Sequence, residues 1–409
     1  MQQTLFYIII VLILFDYLFE RLLEVLDLRN LSNTLPKPFQ GVYEAEKYRK
    51  SQEYTRENTR FGFYTSTFSM ILILLMLFLS GFALIDRWAG NITGSPLLIP
   101  LVFFGILGLA FDLLNTPFSL YDTFIIEEKY GFNKMNLKIF IGDKLKSWLL
   151  GAVIGGGLLL LIVWFYQLTG KLFWIYAWGL VTVFMIFMTL FYSSLIVPLF
   201  NKQTPLEEGS LRKEIEEFCN KVDFKLDNVF VIDGSKRSTK SNAYFSGLGK
   251  KKRIVLYDTL IKDLSEEEII AVLAHEVGHY KKKHTRTGLI LSVLQTGLTL
   301  YILSLFINSE VLSAALGVQH AAFHINLIAF GLLYSPISML LGLGMNVISR
   351  KNEYEADAFA KENYNGPSLA SALKMLTVKN LGNLQPHPLS VFFHYSHPTV
   401  LQRLEKLED

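Results

Sequence analysis

Cysteine is almost missing from this chain. A single Cys219 in 409 residues excludes a disulfide framework and any cysteine-based metal cluster. Charge is scarce too, at 18% of residues, against about 25% in ordinary soluble domains. The 39 basic and 36 acidic residues leave a net +3, and a nucleic-acid binder needs a basic excess on one face. No nucleic-acid partner is therefore expected. Internal repeats and low-complexity linkers are missing as well. What the chain has in excess is apolar surface: 51% apolar residues, 14% aromatic and a mean hydropathy of +0.34. That balance excludes intrinsic disorder and points to a lipid bilayer as the surrounding solvent.

Seven segments are long and apolar enough to cross a hydrocarbon core, near 4–25, 62–86, 97–117, 148–168, 173–200, 287–308 and 322–349. The first has no basic leader or small-residue cleavage site and runs on through Asp16, Glu20 and Arg21, so an uncleaved anchor is expected. Thirty-six of the 39 Lys and Arg residues fall after spans 1, 3, 5 and 7. The positive-inside bias then puts the N-terminus outside and the C-terminus in the cytoplasm. Trp88, Trp148, Trp174 and Trp178 sit at span ends, as an interfacial aromatic belt requires. The organisation expected is five spans in 1–200, with cytoplasmic loops 26–61 and 118–147. A hydrophilic region 201–286, two spans in 287–349 and a cytoplasmic tail 350–409 complete it.

The hydrophilic region carries His275-Glu276-Val277-Gly278-His279, an HEXXH string. Ser265 and Glu268 form a capping-box pattern at the start of its helix. Histidines four residues apart share a helix face and can bind one Zn²⁺, with Glu276 placed as general base. Zinc lowers the pKa of a bound water from 15.7 towards ~7, which gives a nucleophile at neutral pH. A catalytic zinc needs a third protein ligand. Thr285 stands where a metzincin would have histidine. On a continuous helix His284 lies about 140° round from His279 and reads as an ordinary interfacial residue. The preferred third ligand is Glu353, with Asp357 one turn on to take the free ring N–H of a ligand histidine. Glu355, on the opposite face, reads as solvated.

Two further segments can serve this site. Lys240–Gly247 and Arg253–Tyr257, joined by a Gly-Lys turn, read as a β-hairpin. An edge strand there can bind an extended peptide, and Asn242 can hold a substrate carbonyl. In the tail, a helix entered through Pro398 can bring His397 and Arg403 back to the zinc; a plain helix start with a surface arginine is the alternative.

Together these strings resemble the type I CAAX prenyl proteases, integral-membrane zinc endopeptidases, over roughly residues 35–404. The resemblance is carried by Tyr121–Glu128 with Gly131–Lys134, Pro198–Lys202 with Thr204–Leu206, and Ser241–Phe245. The HEVGH string, Glu353 with Asp357, and Ser396–Pro398 complete it. It implies an all-α polytopic membrane protein whose seven helices enclose a water-filled chamber, with a cytoplasmic zinc-metalloprotease region. In that chamber Asp16 and Asp112 face water. It further implies one Zn²⁺ per chain on His275, His279 and Glu353, with Glu276 as base. Asn242, His397 and Arg403 match positions that bind substrate backbone and steady the tetrahedral intermediate. The implied partners are the lipid bilayer and a peptide or protein substrate, prenylated ones included. The last residues lack the lysine-based retrieval signal of endoplasmic-reticulum members, which points to a bacterial plasma membrane. A broad quality-control zinc protease and a zinc-dependent membrane binding or transport protein are the alternatives. An intact Glu276 argues against the last of these.

Overall fold

The long apolar runs fold as helices. The computed structural model describes residues 1–226, 228–246 and 253–408. Its N-terminal half is built from helices Gln2–Asn30, Ala45–Phe78 and Ile99–Tyr121 and from the helical run Leu137–Phe200. That run reverses at Gly170, whose φ of +54° suits a residue without Cβ. Phe165 then packs on Tyr176, and Tyr166 on Phe173. Among the described residues, four helical runs are long and apolar enough to cross a membrane by length and composition. A bent pair, Phe323–Leu333 and the helix from Ser335, with 59° at its break, makes a fifth.

Several boundaries differ from those read in the sequence. The span expected at 62–86 is interrupted, since its helix ends at Phe78, Ser80 turns left-handed at φ +53°, and a separate helix Gly81–Ile92 follows. Much of the stretch expected as loop 26–61 is helix, because Glu, Lys, Arg and Gln are good helix formers. Most of 118–147 is helical too. Asp112, expected to face water, is held by Lys144 at 2.8 Å and by Trp148 Nε1 at 2.9 Å. Pairing answers a charge that would cost ~2.5–3.5 kcal/mol facing lipid at the bilayer centre.

The hydrophilic region holds more β-structure than a hairpin. Strands β1 (Gln203–Pro205), β2 (Asn228–Ile232), β3 (Ala243–Ser246) and β4 (Arg253–Tyr257) form one sheet in the order β1-β2-β4-β3. The expected antiparallel pairing is present, with Ala243 opposite Leu256 and Ser246 opposite Arg253. Its turn lies outside the described residues. β2, which pairs in parallel with β4, is the apolar run Asn228-Val-Phe-Val-Ile. Such a run is ambiguous between helix and strand by periodicity alone. β3 is left as an edge strand beside the helix that carries the HEXXH string.

That helix, Glu266–Lys281, starts with the expected capping box, Ser265 and Glu268 exchanging bonds of 2.9 and 3.3 Å. Ile269, Ile270, Leu273 and Val277 bury it in a core shared with Leu256, Leu260, Leu369 and Leu404. It crosses the helix Ser335–Ala360 at Gly278, where a Cβ would meet the Ala356 backbone at 3.1 Å. Glycine at the fourth position of the string therefore sets how closely the two helices approach.

Candidate metal centre

The close crossing at Gly278 puts His275 and His279 opposite Glu353 and Asp357. His275 Nε2 and His279 Nε2 lie 3.1 Å apart. Glu353 Oε1 is 3.2 Å from His279 Nε2, and its Oε2 is 3.5 Å from His275 Nε2. Three ligand atoms thus converge within 4.8 Å of one another. Two bonds of 2.0–2.1 Å at a tetrahedral angle separate their outer atoms by about 3.3 Å, so the spacing suits one small cation. A second observation agrees. Glu353 Oε2 is buried and receives no well-aligned hydrogen bond among the described residues, although His397 Nδ1 stands 2.9 Å away and Arg403 Nη1 3.4 Å. Two imidazole nitrogens and one carboxylate oxygen are the donor set of a catalytic zinc with a coordination position left over.

The surrounding groups orient these three. Asp357 Oδ1 takes His275 Nδ1 at 2.8 Å. Arg403 grips Asp357 with two bonds, Nε at 2.8 Å and Nη2 at 2.6 Å. Asp357 is 2% exposed and Arg403 11%. Burial alone would lower the His275 imidazole, but the Asp357 and Glu353 carboxylates outweigh it and push it up to about 9. Burial also opposes the charge on Arg403, and the bonds to Asp357 raise its pKa nonetheless. The cluster is poised to hold positive charge.

Glu276 makes no hydrogen bond or ion pair among the described residues. It lines, with His279, a cavity of about 310 Å³ that runs between helices His284–Phe306 and Ser335–Ala360 past Leu291, Met345 and Ile348. Asn242 is exposed at the start of β3. Its Oδ1 accepts from Ala243 N at 2.8 Å, and its backbone carbonyl accepts from Tyr257 N. His397 is 63% exposed, its Nδ1 turned to Glu353.

Two residues here escaped the sequence reading. His284 is buried, with Nδ1 3.0 Å from His279 Nδ1 and Nε2 3.1 Å from Glu355 Oε2. Glu355 is accordingly paired rather than merely solvated. The helical wheel misplaced His284 because the helix does not continue. It stops after Lys281, Lys283 turns left-handed at φ +64°, and the next helix starts at His284. The lysine run at 281–283 is a helix-end signal that bears on this.

Comparison with known proteins places this arrangement. Residues 25–202 match the family model for the CAAX prenyl protease N-terminal region of five membrane helices, and residues 205–409 that of peptidase family M48. A CAAX prenyl protease 1 homolog of Oryza sativa is 37% identical over 402 residues, covering 96% of this chain and 95% of its own. CAAX prenyl protease 1 of Saccharomyces cerevisiae is 35% identical over 420 residues, covering 96% and 93%. The crystal structure of S. mikatae Ste24p superposes with a TM-score of 0.94 at 34% identity, over 99% of both chains. The chain is a multi-pass membrane metalloprotease and belongs to the CAAX prenyl protease family within the M48 peptidases.

Proposed function

We propose that the chain hydrolyses peptide bonds near the C-terminus of CAAX-type substrates, prenylated ones included; the relatives it resembles carry the name CAAX prenyl protease 1. The observation that carries this is the convergence of His275, His279 and Glu353 beside Glu276, which lines a cavity wall and has no hydrogen bond or ion pair among the described residues. His275, His279 and Glu353 would hold one Zn²⁺. When bound, such an ion supplies Lewis-acid polarisation of a carbonyl and a lowered pKa for water.

The chain's own groups do the rest. An extended substrate segment pairs along edge strand β3, which presents Asn242 to it. The Asn242 oxygen is occupied by Ala243 N, so its amide N–H groups remain to hold a substrate carbonyl. Glu276 accepts a proton from the water that attacks the scissile carbon and delivers it to the amine nitrogen as the C–N bond breaks. His397 turns Nδ1 to Glu353 and keeps Nε2 for oxygen that gains negative charge. Asp357 fixes the ring of His275, and Arg403 fixes Asp357.

The sorting of basic residues supports a site on the cytoplasmic side, with the N-terminus outside and the tail inside. The same orientation holds in a bacterial plasma membrane and in an endoplasmic reticulum. A chamber among the membrane helices is supported by the surface of the molecule. It exposes 21004 Å², whereas a compact monomer of this mass exposes about 16,000 Å². A cavity of about 860 Å³, lined by Arg56, Phe61 and Tyr121 among others, also opens between the helices Ala45–Phe78 and Ile99–Tyr121.

Incubation with a prenylated CAAX peptide, with and without a zinc chelator, tests the reading. Cleavage after the modified cysteine that the chelator abolishes supports it. Indiscriminate cutting would favour a quality-control protease, and no cutting a binding protein.

A further inference from the structure

We infer that His284 and Glu355 form the positioning pair for His279, a relay that sets its tautomer and the aim of its Nε2. The inference rests on the metal reading above and extends it to two residues outside the HEXXH string. His279 Nε2 faces His275 Nε2 at 3.1 Å and Glu353 Oε1 at 3.2 Å, so its lone pair points into the centre. The ring proton of a neutral, cation-binding His279 then resides on Nδ1. That nitrogen is 3.0 Å from His284 Nδ1. A hydrogen bond between two nitrogens carries one hydrogen, so His284 Nδ1 accepts. The proton of His284 in turn sits on Nε2 and is donated to Glu355 Oε2 at 3.1 Å. The direction of every bond follows from the first.

The two ligand histidines are served differently. His275 meets a carboxylate directly, Asp357, which Arg403 locks. Among the described residues His279 has no carboxylate beside its Nδ1, and a second imidazole spans the gap to Glu355. The break at Lys283 is what makes this reach available, because it brings the first residue of the helix His284–Phe306 back against the preceding turn. His284 is buried in a chain whose histidines are few, and its ring stands at 73° to that of His279, edge towards face. A side chain that only filled space there would not place a nitrogen on each partner.

The test uses the full-length chain and its affinity for Zn²⁺, read by competition with a chromophoric chelator, together with the visible spectrum of the cobalt-substituted protein. His284→Phe keeps the ring volume and removes both nitrogens. It should weaken zinc 10–100-fold, the usual effect of losing such a partner, and alter the cobalt spectrum. His284→Gln can accept through its carbonyl and donate through its amide, and should restore most of the affinity. Glu355→Ala, at a partly exposed position, should weaken zinc in the same direction and serves if His284→Phe does not fold. Parent-like affinity in His284→Phe or in Glu355→Ala, or a His284→Gln no better than phenylalanine, would overturn the relay alone. A parent chain that retains no zinc would overturn the metal reading along with it.

Discussion

Arg403 and Asp357 meet through two short bonds where water is almost excluded. Removing one partner of such a pair strands the other charge, which costs ~3–5 kcal/mol. Arg403→Ala should therefore lower stability by that order in an unfolding measurement, and the double variant with Asp357→Asn should be less destabilised than the single changes predict together. Arg403→Lys should not rescue, because an ammonium cannot fork across a carboxylate. At this scale the sequence was informative where chemistry follows fixed spacing. His275 with His279, and Glu353 with Asp357, are four apart and each pair shares a face. Arg403 was readable only as a candidate, since nothing in its neighbours tells whether its tail helix folds back. His284 was misjudged because the wheel assumed a helix that Lys283 ends, and its pairing with the 40% exposed Glu355 was missed for the same reason.

Gly278 shows how an element places these residues. A Cβ there would sit 3.1 Å from both the Cα and the carbonyl oxygen of Ala356, and 3.1 Å from Phe359 Cβ. Gly278→Ala should push the two helices apart by a few tenths of an ångström. A destabilisation of about 1–3 kcal/mol, typical of overpacking, should come with lower zinc retention; unchanged values of both would mean the crossing is not tight. Lys283 is the complementary case. A side chain in the left-handed region costs about 1–2 kcal/mol, so Lys283→Gly should be tolerated and raise the melting temperature. The helix Glu266–Lys281 is legible from its capping residues and apolar periodicity alone. Strands β1 and β2 were not, because three and five residues give too short a pattern to separate strand from other structure.

For the whole molecule, the sorted basic residues predict a definite orientation. The lone Cys219 is buried, so single cysteines introduced elsewhere can be read against a quiet background. In intact cells or sealed vesicles of native orientation, Thr93→Cys should react with an impermeant thiol reagent from outside. Lys225→Cys should react only after permeabilisation, and the opposite pattern would invert the topology. Composition made the membrane legible, yet the run Leu137–Phe200 and the break at Ser80 blur where one span ends, since hydropathy does not register backbone turns. The central claim is that Glu276 moves the proton at a metal centre built by His275, His279 and Glu353. Its most direct test is Glu276→Gln, assayed for zinc content and for cleavage of a prenylated CAAX peptide in one preparation. Parent-like zinc with turnover reduced by about 10²–10⁴-fold is the predicted result. Retained turnover at full zinc occupancy would contradict it.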